Sequence, residues 1–293
     1  MARRKPMIGV IGATGIVGSL LIRRLSDKGL PTRALVHRPE MAKKVDLPYV
    51  ETRMGNFKND DDMRQFLRNV DQVFLLTPIA DDMIEVQQHL VDLAREVGVA
   101  GITKLSVWTA AADASLWFSR AHHAIENHLR DSGVPHTILQ PRTFMQTMGA
   151  AFCDEVRTHS SISSIVEPDV GIYMVDLRDV VDVAAEILAR GEHKGETVVI
   201  HGPQQLTYPE CARLLSTRLG REIKYNLISE QEVIENFSRV GKRQRAEILI
   251  TVWRNYNSRN SDPEILSTAI ADWTGHQPRC YDDYLDESID LFR

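Results

Sequence analysis

Met7-Ile8-Gly9-Val10-Ile11-Gly12-Ala13-Thr14-Gly15-Ile16-Val17-Gly18 is the stretch on which the fold turns. Met7 to Ile11 is a short apolar run that stops at Gly12 and reads as a strand. From Ile16 to Leu25 the spacing becomes helical, with Leu20, Leu21 and Leu25 on one side. Three glycines therefore stand between a strand and a helix. Gly12 lets the chain turn sharply, Gly15 lets a ligand approach the backbone, and Gly18 lets the helix sit close to the sheet. A helix start also offers free N–H groups and the positive end of its dipole, which suit a pyrophosphate. The spacing is G-x-x-G-x-x-G rather than the G-x-G-x-x-G of the standard dinucleotide fingerprint. In this setting Gly12, Thr14, Gly15, Ile16, Val17 and Gly18 are expected to touch a dinucleotide. The competing reading is a glycine-rich turn with no ligand.

Outward from this turn, strand-like and helix-like segments alternate. Further strands are expected at Thr32–Val36, Tyr49–Arg53, Gln72–Leu76, Ile102–Val107, His136–Leu139 and Thr197–Ile200. Helices are expected at Met83–Val97 and Ala121–Asp131, the latter stopped by Ser132-Gly133. Such alternation implies an α/β fold: a doubly wound parallel sheet of the Rossmann type, with ligands beyond the carboxyl ends of its strands. After about residue 145 the pattern loosens. Val181–Leu188, Pro209–Leu219, Glu230–Val240 and Ala246–Trp253 read as helices. The expected division is a Rossmann core over residues 1–150, with returning segments near 170–202. A mixed C-terminal part, 151–293, would form a small lid or substrate lobe.

The composition suits a soluble globular chain: 293 residues, 43% hydrophobic and 26% charged. The net charge of −5 argues against a general nucleic-acid binder. No apolar run approaches the ~20 residues of a membrane span. The basic start, Met1 to Pro6, leads straight into a strand and lacks the apolar stretch of a secretory signal, so a cytoplasmic location is expected. Cys153, Cys211 and Cys280 are far apart and read as reduced, packed thiols, and no metal site is expected.

The end of the second strand distinguishes the dinucleotides. An NAD site places an acid there for the ribose hydroxyls. Here the chain reads Leu35-Val36-His37-Arg38-Pro39, with no acid before Glu40. Arg38 can stack on adenine and pair with a 2′-phosphate through its planar fork. His37, Lys43 and Lys44 add charge, although one lysine reads better as a solvated helix face. The expected cofactor is NADP(H). Asn56, after the third strand, is either an adenine contact or a turn residue.

These residues resemble the NmrA-like family of atypical short-chain dehydrogenases. The resemblance rests on residues 11–18 (IGATGIVG), 121–145 (AHHAIENHLRDSGVPHTILQPRTFM), 175–185 (VDLRDVVDVAA) and 274–284 (TGHQPRCYDDY), and it covers nearly the whole chain. It implies a Rossmann fold and either an NADPH-dependent quinone, imine or enone reductase or a non-catalytic NADP sensor. Short-chain dehydrogenases proper use Tyr-x-x-x-Lys. In the NmrA-like relatives the lysine lies near the start of the helix before the sixth strand. Aligned on Glu126 and Ser132-Gly133, that position is His122, and Phe118 stands four residues earlier. Phenylalanine cannot protonate an alkoxide. His122 is therefore the candidate catalytic residue, as a nicotinamide-ribose contact or as an acid near neutral pH. The alternative is a helix-surface histidine beside His123. His122, His123 and His128 do not share a helix face well enough to form a metal set.

By the sheet rule, Thr77 and Pro78 are expected against the cofactor, with Ser106 or Thr109 supplying a hydroxyl. The resemblance implies that Pro141 to Phe144 lines the nicotinamide, which makes Pro141, Thr143 and Phe144 cofactor contacts. Trp108, Thr109, Phe118, Phe144, Met145 and Trp253 are candidate substrate contacts, and Trp117 adds to the apolar lining. Some of these are expected to belong to the core, and for Trp253 packing is the stronger reading. Asp176, Arg178 and Asp179 read as a helix start with ion pairs.

Three functions follow in order of preference. The first is an NADPH-dependent reductase of a small apolar or aromatic acceptor, an imine or iminium, enone or quinone, which tolerates loss of the tyrosine. The second is an NADP(H)-sensing regulator that binds a protein partner. The third is a non-redox isomerase or cyclase. The partner expected is a small-molecule substrate, with neither nucleic acid nor membrane, and an exposed helix pair would support a homodimer.

Overall fold

The computed structural model describes residues 4–239, 243–258 and 267–293. In chain order the first elements are β1 (Ile8–Val10), α1 (Ile16–Asp27), β2 (Thr32–Val36), a 3-10 turn (Pro39–Val45), β3 (Val50–Met54), α2 (Asp60–Leu67), β4 (Gln72–Leu75), α3 (Met83–Glu96), β5 (Gly101–Leu105), α4 (Trp117–Asp131) and β6 (His136–Pro141). Then follow β7 (Thr143–Phe144), α5 (Met145–His159), β8 (Ser161–Ser164), β9 (Ile172–Val175), α6 (Leu177–Arg190) and β10 (Glu196–Ile200). The chain continues with β11 (Gln205–Leu206), α7 (Tyr208–Leu219), β12 (Lys224–Leu227), α8 (Glu230–Arg239), α9 (Arg243–Ser258), α10 (Ala269–Thr274) and α11 (Tyr281–Ser288).

Two compact units result. The first comprises residues 1–141, 178–200 and 268–276; the second comprises 142–177, 201–267 and 277–293. The first holds a seven-stranded sheet in the order β10-β6-β5-β4-β1-β2-β3. Every pairing in it is parallel. The doubly wound Rossmann sheet expected from the sequence is therefore present, and each of the seven expected strands takes its place in it. Strand order reverses between β1 and β4, which opens a crevice at their carboxyl ends.

The strands are apolar because both faces are covered. All four residues of β4 and all five of β5 are buried. Met63, Phe66 and Leu67 of α2, Leu90, Val91 and Ala94 of α3 and Leu129 of α4 join one cluster with Ile11, Val73 and Ile102. Helix α1 buries Leu21, Ile22 and Leu25 and is tied to α6 by Arg24–Asp182 (2.7 Å) and Lys28–Glu186 (2.5 Å). Helix α2 is absent from the sequence reading. It is short, and its start is set by polar chemistry rather than by apolar period. The Asn59 side chain accepts from the Asp62 N–H, and Asp60, Asp61 and Asp62 fill the first turn.

The second unit has a three-stranded sheet, β11-β9-β7, and a parallel pair, β12-β8. Its core gathers Met145, Met148, Phe152 and Val156 of α5, Cys211 and Leu215 of α7, Ile250 and Trp253 of α9, and Tyr281 and Tyr284 of α11. Helix α7 is delimited by a capping box, Thr207 with Glu210, and by Gly220 in the left-handed region. Helix α5 is also missing from the sequence reading. Its buried face is built from Met and Phe amid Gly149 and Ala residues, a weaker periodic signal than a leucine face. Trp253 stacks on Phe152 with the planes 3° apart and is 4% exposed. Trp253→Ala should destabilise the second unit by about 3–5 kcal/mol through the cavity left behind, read as a lower urea midpoint of its unfolding transition.

Candidate functional site

In the first unit the parallel strands bring the residues that follow β1, β2, β4 and β5, with the end of β6, to one end of the sheet. At β1 the three glycines have separable causes. Gly12 has φ +79°, and a Cβ there would stand 2.6 Å from the Leu76 carbonyl oxygen. A Cβ on Gly18 would stand 2.2 Å from the Gly12 carbonyl oxygen. Both positions are demanded by the packing of protein on protein. Gly15 is different. It is exposed, and the nearest atom to its would-be Cβ is the Gly12 carbonyl oxygen at 3.3 Å. Its missing side chain leaves the outer surface of the turn bare.

Gly15 is also the N-cap of α1, which has no side-chain cap and no acid in its first turn. The N–H groups of Ile16, Val17 and Gly18 therefore have no acceptor within the helix. A bare glycine beside an uncapped, positively polarised helix start fits the phosphates of a dinucleotide. Ile16 is 74% exposed at the same spot.

At β2 the ordered strand ends on Val36, and His37, Arg38, Pro39 and Glu40 are exposed. The Arg38 Nε lies 3.8 Å from the Glu40 carboxylate, a loose ion pair that leaves the guanidinium fork free to bind an anion. Lys43 and Lys44 are exposed in the last turn of the 3-10 segment. Asn56 closes a turn: its Oδ1 accepts from the Lys58 N–H at 3.0 Å, and its own N–H donates to Asp62 at 2.9 Å. The structure thus shows a turn role for its carbonyl oxygen.

Beyond β4, Thr77 is buried and its hydroxyl accepts from the Gln87 amide at 2.8 Å, while Pro78 and Ile79 are exposed. Beyond β5, the Thr109 hydroxyl is held by Ser119 at 2.6 Å and Trp108 is half-buried. Ser106 donates to the Glu126 carboxylate, which also accepts from Gln140 (2.9 Å) and Arg130 (3.0 Å). Both candidate hydroxyls are thereby committed to protein partners. Pro141 is buried at the end of β6. Phe118 is half-buried against Met83, Ala121 and Ile125, and it meets Trp117 edge-on at 6.1 Å.

His122 is buried, not a surface residue, and its Nδ1 lies 2.9 Å from the Nζ of Lys104. Lys104 is fully buried in β5 and also donates to the Leu105 carbonyl at 3.1 Å. Burial lowers its pKa from 10.5 to about 7, opposed by the Glu126 charge. Burial, and then the Lys104 charge, hold the His122 imidazole well below the ordinary histidine range. His122 is therefore neutral near pH 7. That environment suits a hydrogen-bonding role and opposes an imidazolium acid. Its neighbours point elsewhere: His123 contacts Asn127 at 3.1 Å and His128 contacts Asp92 at 3.1 Å.

In the second unit, the Thr143 hydroxyl bonds the Tyr256 hydroxyl at 2.6 Å. Burial pushes the Tyr256 phenol up to about 12, so it stays a protonated donor. Phe144 is half-buried, whereas Met145 and Trp253 lie in the apolar core of that unit.

Sequence reading missed Lys104, Ser119, Gln87 and Tyr256 as polar partners. Lys104 left one signal, a cation inside the apolar run Gly101 to Leu105. Because its folded pKa lies below the unfolded one, the unfolded chain binds more protons between about pH 7 and 10.5, so the Lys104 contribution to stability rises with pH across that window. In paired urea denaturations, stability of the native chain relative to Lys104→Met should climb with pH there, by at most roughly 1.4 kcal/mol per pH unit, and level off above it.

Among known proteins the family model described as "NmrA-like family" matches residues 4–283. A reductase of Streptomyces griseus subsp. griseus, (4-alkanoyl-5-oxo-2,5-dihydrofuran-3-yl)methyl phosphate reductase, is 34% identical over 222 residues, 75% of this chain and 76% of its own. The NAD(P)H azoreductase of Xenophilus azovorans is 27% identical over 235 residues, 80% of this chain and 82% of its own. The crystal structure of an NADPH-dependent quinone oxidoreductase from Escherichia coli, complexed with NADPH, superposes with a TM-score of 0.86 at 19% identity, covering 97% of this chain and 100% of that one. Among the described residues no helix is long and apolar enough to cross a membrane. With the glycine turn, the parallel sheet and the family match in agreement over nearly its whole length, this chain belongs to the NmrA-like family.

Proposed function

We propose that this protein is an NADPH-dependent reductase of a small apolar or aromatic acceptor whose reducible bond is conjugated or already cationic. The chain is an NAD(P)H-dependent oxidoreductase with NADP(H) as its cofactor. The observation that carries the acceptor class is the replacement of the usual Tyr-Lys pair by Phe118 and a neutral, buried His122. Reduction of a simple ketone needs a strong proton donor at the developing alkoxide, and neither residue is one. An imine, iminium, enone, quinone or azo bond spreads or cancels that charge and needs less acid help. The names of two relatives, which specify an azo substrate class and a 5-oxo-2,5-dihydrofuran, support this reading.

The bound nicotinamide would supply the hydride. In this reading Gly15, Ile16, Val17 and Gly18 hold the pyrophosphate with backbone N–H groups. Arg38 pairs with the 2′-phosphate, helped by Lys43 and His37. Thr77 and Pro78 lie along the cofactor, and His122 donates a hydrogen bond to the cofactor ribose or the acceptor. Phe118 and Trp108 supply an apolar wall that keeps water away.

Calorimetry with NADPH and NADH tests the cofactor contacts. Arg38→Ala should weaken NADPH binding roughly 10- to 100-fold, the worth of a charge-assisted pair, and weaken NADH binding far less. An equal loss for both would remove Arg38 from the phosphate site. An acceptor panel followed at the NADPH absorbance tests the reaction. Enones, quinones, iminium ions and azo compounds should be consumed, and unconjugated ketones should not. Cofactor binding with no turnover on any acceptor would favour a sensing role instead.

A further inference from the structure

We infer that Lys104 is a positioning residue that fixes the tautomer of His122, so that His122 presents Nε2–H, a donor, to whatever binds beside it. An ammonium has three N–H donors and no acceptor. At 2.9 Å from Nδ1, the Lys104 Nζ must therefore donate to it, and Nδ1 must be bare. The single ring proton of a neutral imidazole then sits on Nε2. The second Nζ bond, to the Leu105 carbonyl at 3.1 Å, anchors the amine from its own strand and fixes the angle of approach.

Nε2 lies across the ring from Lys104 and has no protein partner among the described residues. It is not among the sealed, unpaired side-chain atoms, a group that does include the His136 Nε2. So His122 is bolted on one side and open on the other. This is the arrangement of a fixed donor, comparable in logic to the groups that orient metal-bound or catalytic histidines through their second nitrogen.

The lock depends on the charge of Lys104, whose pKa lies near neutrality. Its surroundings contain few other charges. The strand partners of Lys104 are Leu75 and Ile138. Helix α3 turns Met83, Gln87, Leu90 and Val91 inward. Helix α4 contributes Glu126, which is paired with Arg130 at 3.0 Å, and its Asp92–His128 pair with α3 lies in a part-exposed position. When Lys104 loses its proton, the neutral amine can accept as well as donate. Nδ1–H then becomes permitted, and the Nε2–H donor is no longer enforced. The consequence for turnover rests on the reductase reading above; the tautomer itself does not.

The test is nitrogen-15 NMR of histidine-labelled full-length protein, with His122 assigned by its loss in His122→Asn. At pH 6 the native chain should show His122 as the single Nε2–H tautomer. Between about pH 7 and 8.5 its signals should move toward a mixture. Lys104→Met should show the mixture already at pH 6. Lys104→Arg keeps a cation that can only donate and does not lose its proton in this range, so it should hold Nε2–H and abolish the pH transition. A native chain with His122 protonated on Nδ1 at pH 6 would overturn the inference, as would a tautomer indifferent to Lys104→Met. The native spectrum alone decides the first point, so a poorly folding variant does not leave the question open. If the tautomer behaves as expected while no acceptor is reduced, the reductase reading fails and the positioning role stands. If acceptors are reduced, NADPH oxidation by the native enzyme should show a step near pH 7 that Lys104→Arg lacks.

Discussion

The start of α1 lies so close to the end of β1 that a single methyl group on Gly18 would collide with the carbonyl oxygen of Gly12. Much of the first unit depends on that approach. It seats the helix against the sheet, so that Leu21, Ile22 and Leu25 reach the interior. It also turns the first N–H groups of the helix toward the crevice where the strand order reverses. Gly12 must take a left-handed conformation for the chain to make this bend, and it too has a backbone carbonyl where a side chain would go. Two glycines thus serve the packing, and their packing leaves the third, Gly15, bare at an uncapped helix start. The bare helix start is a by-product of how tightly the strand and helix are joined.

A second constraint lies at β5 and α4. Lys104 has no exposed surface, and Glu126 is almost as deeply buried. Charges so placed are costly unless they are bonded. Glu126 is bonded by Ser106, Gln140 and Arg130. Lys104 has a carbonyl and a histidine nitrogen, which is fewer than its three N–H groups can use. Burial lowers its pKa, and the bond to Nδ1 couples it to His122. A core built for stability alone would place an aliphatic residue there. The retained lysine makes sense as a specification of orientation rather than as a contribution to stability.

At the positions aligned above with a Tyr-Lys pair, this chain has Phe118 and a buried, neutral His122. Phe118 lies in an apolar cluster with Met83, Ala121 and Ile125 and has no proton to donate. The nearby Thr109 and Ser106 hydroxyls are occupied by Ser119 and Glu126. The reductase reading proposed above therefore relies on binding, exclusion of water and a hydrogen-bond donor, which suit acceptors that build up little localised charge on reduction.

The sequence by itself determined the sheet and its phosphate turn. Both are written in local terms: an apolar run, a glycine at each steric limit, and a helical period that begins at Ile16. It also placed Arg38 where a strand end must expose it. Helix α2 escaped notice because a short helix under an Asn59 cap has little periodic signal, and α5 because its buried face is methionine and phenylalanine among small residues. Only the tertiary structure decided which polar groups are engaged. Lys104 and His122 are far apart in the chain and meet because β5 runs beneath α4. Asn56 is turned to its own loop, and Trp253 to Phe152. Such pairings depend on depth and direction, and the charge state of a buried group depends on the dielectric and partners that close around it. Neither is a property of any local window of sequence.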